Sequence, residues 1–201
     1  SAMLRNRILD RNIDKTNPRT AQRALPSGKV STKTALILSN IVELLFVAST
    51  SMFGFLWDNW LPLILSVPIL GWLCVYPLLK RFTWLCHIFL GASLALSPVA
   101  AAIAIQPETL SHLPIWLLSG AVLCWVAGFD IIYALQDVEC DIRDKLKSMP
   151  ASLGIKPAML ISKVLHCLCI AFLFGIAMSD TRFGWLFQAA IILSATLLIV
   201  E

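Results

Sequence analysis

Charge is what this chain has least of: Asp, Glu, Lys and Arg make up 14% of its 201 residues, against about one-quarter in a soluble domain. That shortage excludes an ordinary soluble globule. Disorder is excluded by the complementary numbers, a 58% apolar content and a mean hydropathy of +0.80, since a disordered chain needs low hydrophobicity and high net charge. There is no C-x-x-C pair among the six Cys at 74, 86, 124, 140, 167 and 169, and most lie in apolar runs, where a thiol behaves as a small hydrophobe. Neither a disulfide framework nor a zinc site is expected. His166-Cys167-Leu168-Cys169 has soft-ligand letters, but neighbouring helical residues point in different directions. No secretory signal is visible, because the chain opens with a polar stretch of 33 residues. The halves show no self-similarity, which removes the inverted repeat expected of many transporters.

What the chain does have is long apolar runs. A membrane-crossing helix needs about 20 mostly apolar residues, and six runs approach that length: Thr34–Leu56, Trp60–Leu79, Phe82–Ile105, Leu113–Leu135, Pro157–Met178 and Phe183–Val200. They are apolar all round rather than striped, so the bilayer is their expected solvent. The predicted fold is all-α, a multi-span transmembrane helical bundle with a central cavity open to the cytoplasmic side. With six spans, the N-terminal segment, the loop near residue 80 and the loop 136–156 fall on one side. Fifteen of the sixteen Lys and Arg go with them, Arg182 being the exception. That asymmetry makes this face cytoplasmic. A multi-pass protein of the cytoplasmic (inner) membrane, with its active site facing the cytoplasm, is expected.

Two acidic motifs sit on that face. Asn6, Asp10 and Asp14 are four residues apart and share a helix face, and Asp137 and Asp141 repeat the spacing. Eight Asp scattered at random would give about 0.3 such pairs. Carboxylates at i and i+4 repel one another, so the arrangement favours a cation between them, and all-oxygen donors of this kind suit Mg²⁺ with phosphate. Arg19, Arg23, Lys80, Arg81, Arg143 and Lys145 are cationic donors able to grip phosphate oxygens. A diphosphate is the ligand these letters suggest. The plain alternative is a set of solvated helix ends paired with neighbouring bases.

These residues carry a resemblance. Asn6-x-x-x-Asp10-x-x-x-Asp14, the following Asn17-Pro18-Arg19-Thr20-Ala21-Gln22-Arg23-Ala24-Leu25-Pro26, and Tyr133-Ala134-Leu135-Gln136-Asp137-x-x-x-Asp141 with Ser148-Met149-Pro150 and Gly154 resemble the UbiA family of intramembrane prenyltransferases, most closely its 4-hydroxybenzoate polyprenyltransferase-like members. The resemblance implies one UbiA-like membrane domain over residues 1–201. The family has about nine spans, so the chain is expected to be a fragment lacking N-terminal and C-terminal helices, with Ser1-Ala2-Met3 resembling the end of the second helix and Glu201 interrupting the eighth. Arg7 departs from the pattern, since many members carry Asp directly after the Asn. That departure leaves the acceptor open.

The resemblance further implies a polyprenyl diphosphate clamped by Mg²⁺ on Asn6, Asp10, Asp14, Asp137 and Asp141, with Arg19, Arg23, Lys80, Arg81 and Arg143 on the diphosphate. Its tail would lie against the lipid bilayer. Ionisation to an allylic cation and attack by a small aromatic acceptor would follow, in ubiquinone biosynthesis with 4-hydroxybenzoate or on a menaquinone precursor. No nucleic-acid partner is expected. Tyr133 is a candidate for shielding the cation with its ring face, with packing as the alternative. An ionised group inside a span costs about 3 kcal/mol or more, so Asp130, a turn before Tyr133, is a candidate for orienting the acceptor or taking its proton, while Glu43 is expected to make an interior polar contact. His87, His112 and His166 are scattered over spans and loops. Outside the enzyme class, a transporter would use Glu43 and Asp130 as intramembrane ion ligands, and a structural membrane subunit would need only the basic face.

Overall fold

The computed structural model describes residues 2–179 and 182–200; Ser1 and Glu201 lie outside the described residues, while Ala2 and Met3 of the expected N-terminal remnant open the first helix. The fold is all-α, with no strand among the described residues. Among the described residues five helical stretches are long and apolar enough to cross a membrane, and the chain is a multi-span integral membrane protein. It packs as two compact units, residues 1–83 with 139–147, and residues 84–138 with 148–201.

In the first unit, α1 (Ala2–Leu9) and α2 (Arg11–Thr16) are separated at Asp10, whose φ of −94° and ψ of 5° leave the helical region. Helical bonding nevertheless runs through the break, from the Asp10 N–H to the Asn6 carbonyl at 2.9 Å and from the Asp14 N–H to the Asp10 carbonyl at 2.7 Å. Asn6, Asp10 and Asp14 therefore stack on one face as the spacing predicts. Asn17-Pro18 stops the helix, because proline disfavours a helical residue before it. A non-helical stretch then leads to α3 (Thr32–Trp57). Ser31 starts α3 by accepting the Thr34 N–H at 3.0 Å, and a left-handed Asp58 at φ 54° ends it. The next stretch is α4 (Leu61–Val75), which tightens into a 3-10 turn at Tyr76–Arg81 where Pro77 removes an amide donor.

The second unit holds α5 (Cys86–Ile105), α6 (Leu113–Ala134), α8 (Met149–Leu153), α9 (Ile155–Ser179) and α10 (Trp185–Val200). Its core is formed by Ala121, Cys124, Ala127, Ile131, Met149, Ala158, Leu165 and Cys169. Small side chains dominate because dispersion, rather than the hydrophobic effect, joins helices in lipid, and it rewards close approach. At Gly91 a Cβ would stand 2.4 Å from the Leu123 carbonyl oxygen, and at Gly128 one would stand 2.5 Å from His166 Nε2. Large apolar side chains instead point outward, Phe55 at 77% and Leu160 at 64% exposure among them, as expected where the surroundings are hydrocarbon.

Three expectations need correction. The loop expected over 136–156 is mostly helical: α6 continues through a 3-10 turn at Leu135–Asp137 into α7 (Val138–Arg143), and α8 follows. The four-residue spacing of Asp137 and Asp141 suits a helix there, although the polar letters end the apolar run. The span expected from Phe82 begins only at Cys86, because the Phe82 and Thr83 amides turn back to the Leu79 carbonyl at 2.9 and 2.8 Å. The sixth apolar run forms α10 of 16 residues, shorter than the five crossing stretches.

Replacing Gly91 by Ala is expected to destabilise the protein by about 1–3 kcal/mol, the usual cost of overpacking. Gly71→Ala, where a Cβ meets nothing within 4 Å, is expected to be neutral or stabilising by up to about 1 kcal/mol. Thermal midpoints of the two variants in detergent check both.

Candidate active site

The first acidic motif is buried and matched by bases. Asp10 is 4% exposed and Asp14 8%, and a carboxylate withdrawn that far from water needs compensating charge. Lys80 Nζ lies 2.5 Å from Asp10 Oδ2, and Arg81 reaches Oδ1 at 3.4 Å while donating to the Leu9 carbonyl at 3.0 Å. Arg23 donates to both oxygens of Asp14, at 3.1 and 3.2 Å. The hydroxyl of buried Thr20 donates to the Asp14 carbonyl at 2.9 Å. The 3-10 turn at the end of α4 thus delivers Lys80 and Arg81 to α1–α2, and the turns after Asn17 bring Arg23 back to the same face. Three of the five expected diphosphate-binding bases are on the motif.

The other two are placed differently. Arg143 is occupied by Asp144, at 2.9 and 3.0 Å, and by the carbonyl and hydroxyl of Thr16, at 3.2 and 3.0 Å. It ties α7 to the end of α2. Its guanidinium holds the Asp144 carboxyl below the usual carboxylate range, the hydrogen bond being the main cause. Arg19 is exposed, and its backbone N–H donates to Asn17 Oδ1 at 2.9 Å. Behind Arg143 the Lys147 amide donates to the Lys80 carbonyl at 2.6 Å, and Lys147 Nζ donates to the Phe82 carbonyl at 3.2 Å. The segment after the second motif is therefore pinned beside Lys80, a role for Lys147 that its charge alone does not reveal.

Of the second motif, Asp141 belongs to the first unit with Asp10 and Asp14, and Asp137 to the second with Asp130 and Tyr133. Among the described residues no three His, Cys, Asp or Glu are grouped closely enough to hold a metal. The donor chemistry nonetheless fits Mg²⁺: Asn6, Asp10 and Asp14 present only oxygen ligands on successive turns. Because three cations already face two carboxylates there, the fit is to a divalent ion arriving with an anionic ligand rather than alone.

Glu43 is a structural group. Arg5 donates to its two oxygens at 2.8 and 2.7 Å, Ser39 adds a third bond at 2.9 Å, and Arg5 also reaches Asn40 at 2.7 Å. The pairing keeps the Arg5 guanidinium more firmly protonated than usual. In the second unit Tyr133 is 40% exposed and stacks on Phe129, with ring centroids 6.3 Å apart. Asp130 Oδ2 lies 2.6 Å from Nδ1 of His87, a pairing that scattered histidines in the sequence do not announce. The signal that points to it is the cost of a carboxylate within a span, which requires a polar partner on a facing helix.

Comparison with known proteins gives the family. The sequence profile of the UbiA prenyltransferase family matches residues 1–201, and the chain belongs to that family. It is 34% identical to a 4-hydroxybenzoate octaprenyltransferase of Saccharophagus degradans over 181 residues, 89% of this chain and 56% of that one. A protein of the same name from Pseudomonas syringae pv. tomato is 32% identical over 197 residues, covering 90% of this chain and 64% of the other. The chain thus spans little more than half the length of the curated relatives it matches. A solved apo structure of a UbiA homolog from Aeropyrum pernix superposes with a TM-score of 0.86 at 34% identity, over 99% of this chain and 72% of that one.

Arg5→Ala is expected to leave the half-buried Glu43 without its charged partner inside α3 and to cost about 1–2 kcal/mol. Glu43→Gln in the Arg5→Ala background is expected to recover most of it. Thermal midpoints of the single and double variants decide whether the pair is structural.

Proposed function

We propose that the whole protein transfers a polyprenyl group from polyprenyl diphosphate to a ring carbon of a small aromatic acceptor, 4-hydroxybenzoate, in ubiquinone biosynthesis. The observation that carries this reading is the buried Asp10–Asp14 face with Lys80, Arg81 and Arg23 upon it, in a chain similar to proteins named 4-hydroxybenzoate octaprenyltransferase. When the diphosphate arrives, the three bases turn from the carboxylates to phosphate oxygens, as charge-assisted donors do. The residues that would hold Mg²⁺ are Asn6, Asp10 and Asp14, with the second-motif pair Asp137 and Asp141. The chemistry that Mg²⁺ supplies when bound is neutralisation of the charge that grows on the leaving diphosphate.

Lys80, Arg81 and Arg23 share that task, being already positioned where negative charge develops. The C–O bond of the prenyl diphosphate breaks with its electron pair leaving on oxygen. The ring of Tyr133, with Phe129 stacked on it, presents a negative face to the resulting allylic cation. The acceptor ring carbon forms the new C–C bond, and the displaced ring proton passes to Asp130 or to water. The site would occupy a central cavity open to the cytoplasm, in the inner membrane, as the clustering of Lys and Arg on one side favours. A second reading keeps this chemistry and changes the acceptor to a menaquinone precursor; Arg7, where many family members carry Asp, favours keeping it open.

The test is prenyl transfer in membranes containing the full-length protein, with labelled polyprenyl diphosphate, each acceptor, and Mg²⁺ present or chelated. Asp10→Ala and Asp137→Ala are each expected to lower kcat/KM by about a hundredfold or more, as loss of a charge-stabilising group does. Product with 4-hydroxybenzoate supports the first reading and product only with a menaquinone precursor the second. Product that survives chelation would remove Mg²⁺ from the mechanism, and no product with either acceptor would refute the function.

A further inference from the structure

The start of α8 and the one carboxylate deep in α6 meet at a single side chain. His87, on the first turn of α5, is 4% exposed. Its Nδ1 faces Asp130 Oδ2 at 2.6 Å, and its Nε2 accepts the backbone N–H of Met149 at 3.1 Å. An imidazole nitrogen that accepts an N–H carries no proton of its own, so the ring proton is on Nδ1 and the ring is neutral. Nδ1–H therefore donates to Asp130. The carboxylate is fixed at one oxygen, while 30% of the Asp130 side chain stays exposed.

The other bond serves α8. Ser148 precedes that helix but makes no side-chain cap bond, and Pro150 has no N–H. The Met149 amide is thus the first donor of the turn, and Met149 is 1% exposed. Without His87 that amide would be buried with no partner, a costly state. Both bonds are made only by the Nδ1-protonated tautomer, since protonation of Nε2 would put two N–H groups against each other.

The geometry points to His87 as a positioning residue that sets the rotamer of Asp130 and fastens the Ser148–Met149–Pro150 turn to α5. This inference rests on the proposed prenyl transfer for its consequence, that Asp130 meets the aromatic acceptor in the orientation His87 gives it. Two variants separate the bonds. In His87→Asn the amide nitrogen replaces Nδ1–H and keeps Asp130 while losing Met149. In His87→Gln the amide oxygen reaches the Nε2 position and keeps Met149 while losing Asp130.

The experiment uses the full-length protein and pairs steady-state kinetics with nitrogen NMR of histidine-labelled samples, the His87 signals being assigned by their loss in His87→Asn. His87→Gln is expected to raise the KM for the aromatic acceptor about tenfold with the KM for prenyl diphosphate within about threefold, and Asp130→Asn to do the same without adding to it. His87→Asn is expected to keep the acceptor KM within about threefold and to lower the thermal midpoint. The spectrum is expected to show a neutral ring protonated at Nδ1, with a shift that moves in Asp130→Asn. An acceptor KM indifferent to His87→Gln in an active enzyme, a ring protonated at Nε2, or an imidazolium at neutral pH would each overturn the proposal. A wild type that transfers nothing refutes the proposed function alone, and the tautomer then decides for or against His87.

Discussion

A carboxylate taken out of water must be met by positive charge or by hydrogen-bond donors, and Asp10 is where this chain answers that demand most heavily. Lys80 and Arg81 come to it from the end of a membrane-crossing stretch. Bringing them there requires the helix to tighten at Pro77 and the chain to turn at Phe82 before α5 begins. The same neighbourhood then anchors the segment after the second motif, through the Lys147 amide on the Lys80 carbonyl and through Arg143 on Thr16. One electrostatic requirement thus organises the first unit from its first helix to its last.

The arrangement explains why the bases outnumber the acids on this face. Ion pairs this close are worth having only when both members are held, and here each is held by more than its partner: Arg81 by the Leu9 carbonyl, Asp14 by a Thr20 contact at its own backbone. A surface salt bridge at the same distances would contribute little. Here two buried carboxylates face three half-buried bases, an arrangement that can exchange its carboxylate partners for those of an anion. That excess of bases, with the acidic spacing, is what the proposed diphosphate site rests on.

Much of this was legible in the letters. Five of the six expected spans followed from run length, since hydrocarbon admits few alternatives, and the four-residue spacing of Asn6, Asp10 and Asp14 does appear as one helical face in spite of the break at Asp10. The failures have physical causes too. The segment after Leu135 reads as a loop because Gln, Asp, Glu and Arg interrupt the apolar pattern, yet its backbone continues the helix into α7, where Arg143 meets Thr16. Contacts spanning 127 residues leave no local trace. Arg143, expected on the diphosphate, meets Asp144 and Thr16 here, partners that its charge does not reveal.

Glu43 and Asp130 show why partner chemistry, rather than the presence of a charge in a span, separates structure from function. Each is a lone carboxylate within an apolar helix, costly there unless it finds a partner. Glu43 is met by a guanidinium at both oxygens and by Ser39, so its charge is cancelled and its lone pairs are used. Asp130 is met at Oδ2 by an imidazole whose other nitrogen already accepts an amide, and so by a donor that brings no charge. The bond orients the carboxylate without neutralising it. A neutral, directional partner keeps an anionic oxygen of Asp130 at a fixed angle, the orientation that the proposed proton transfer needs.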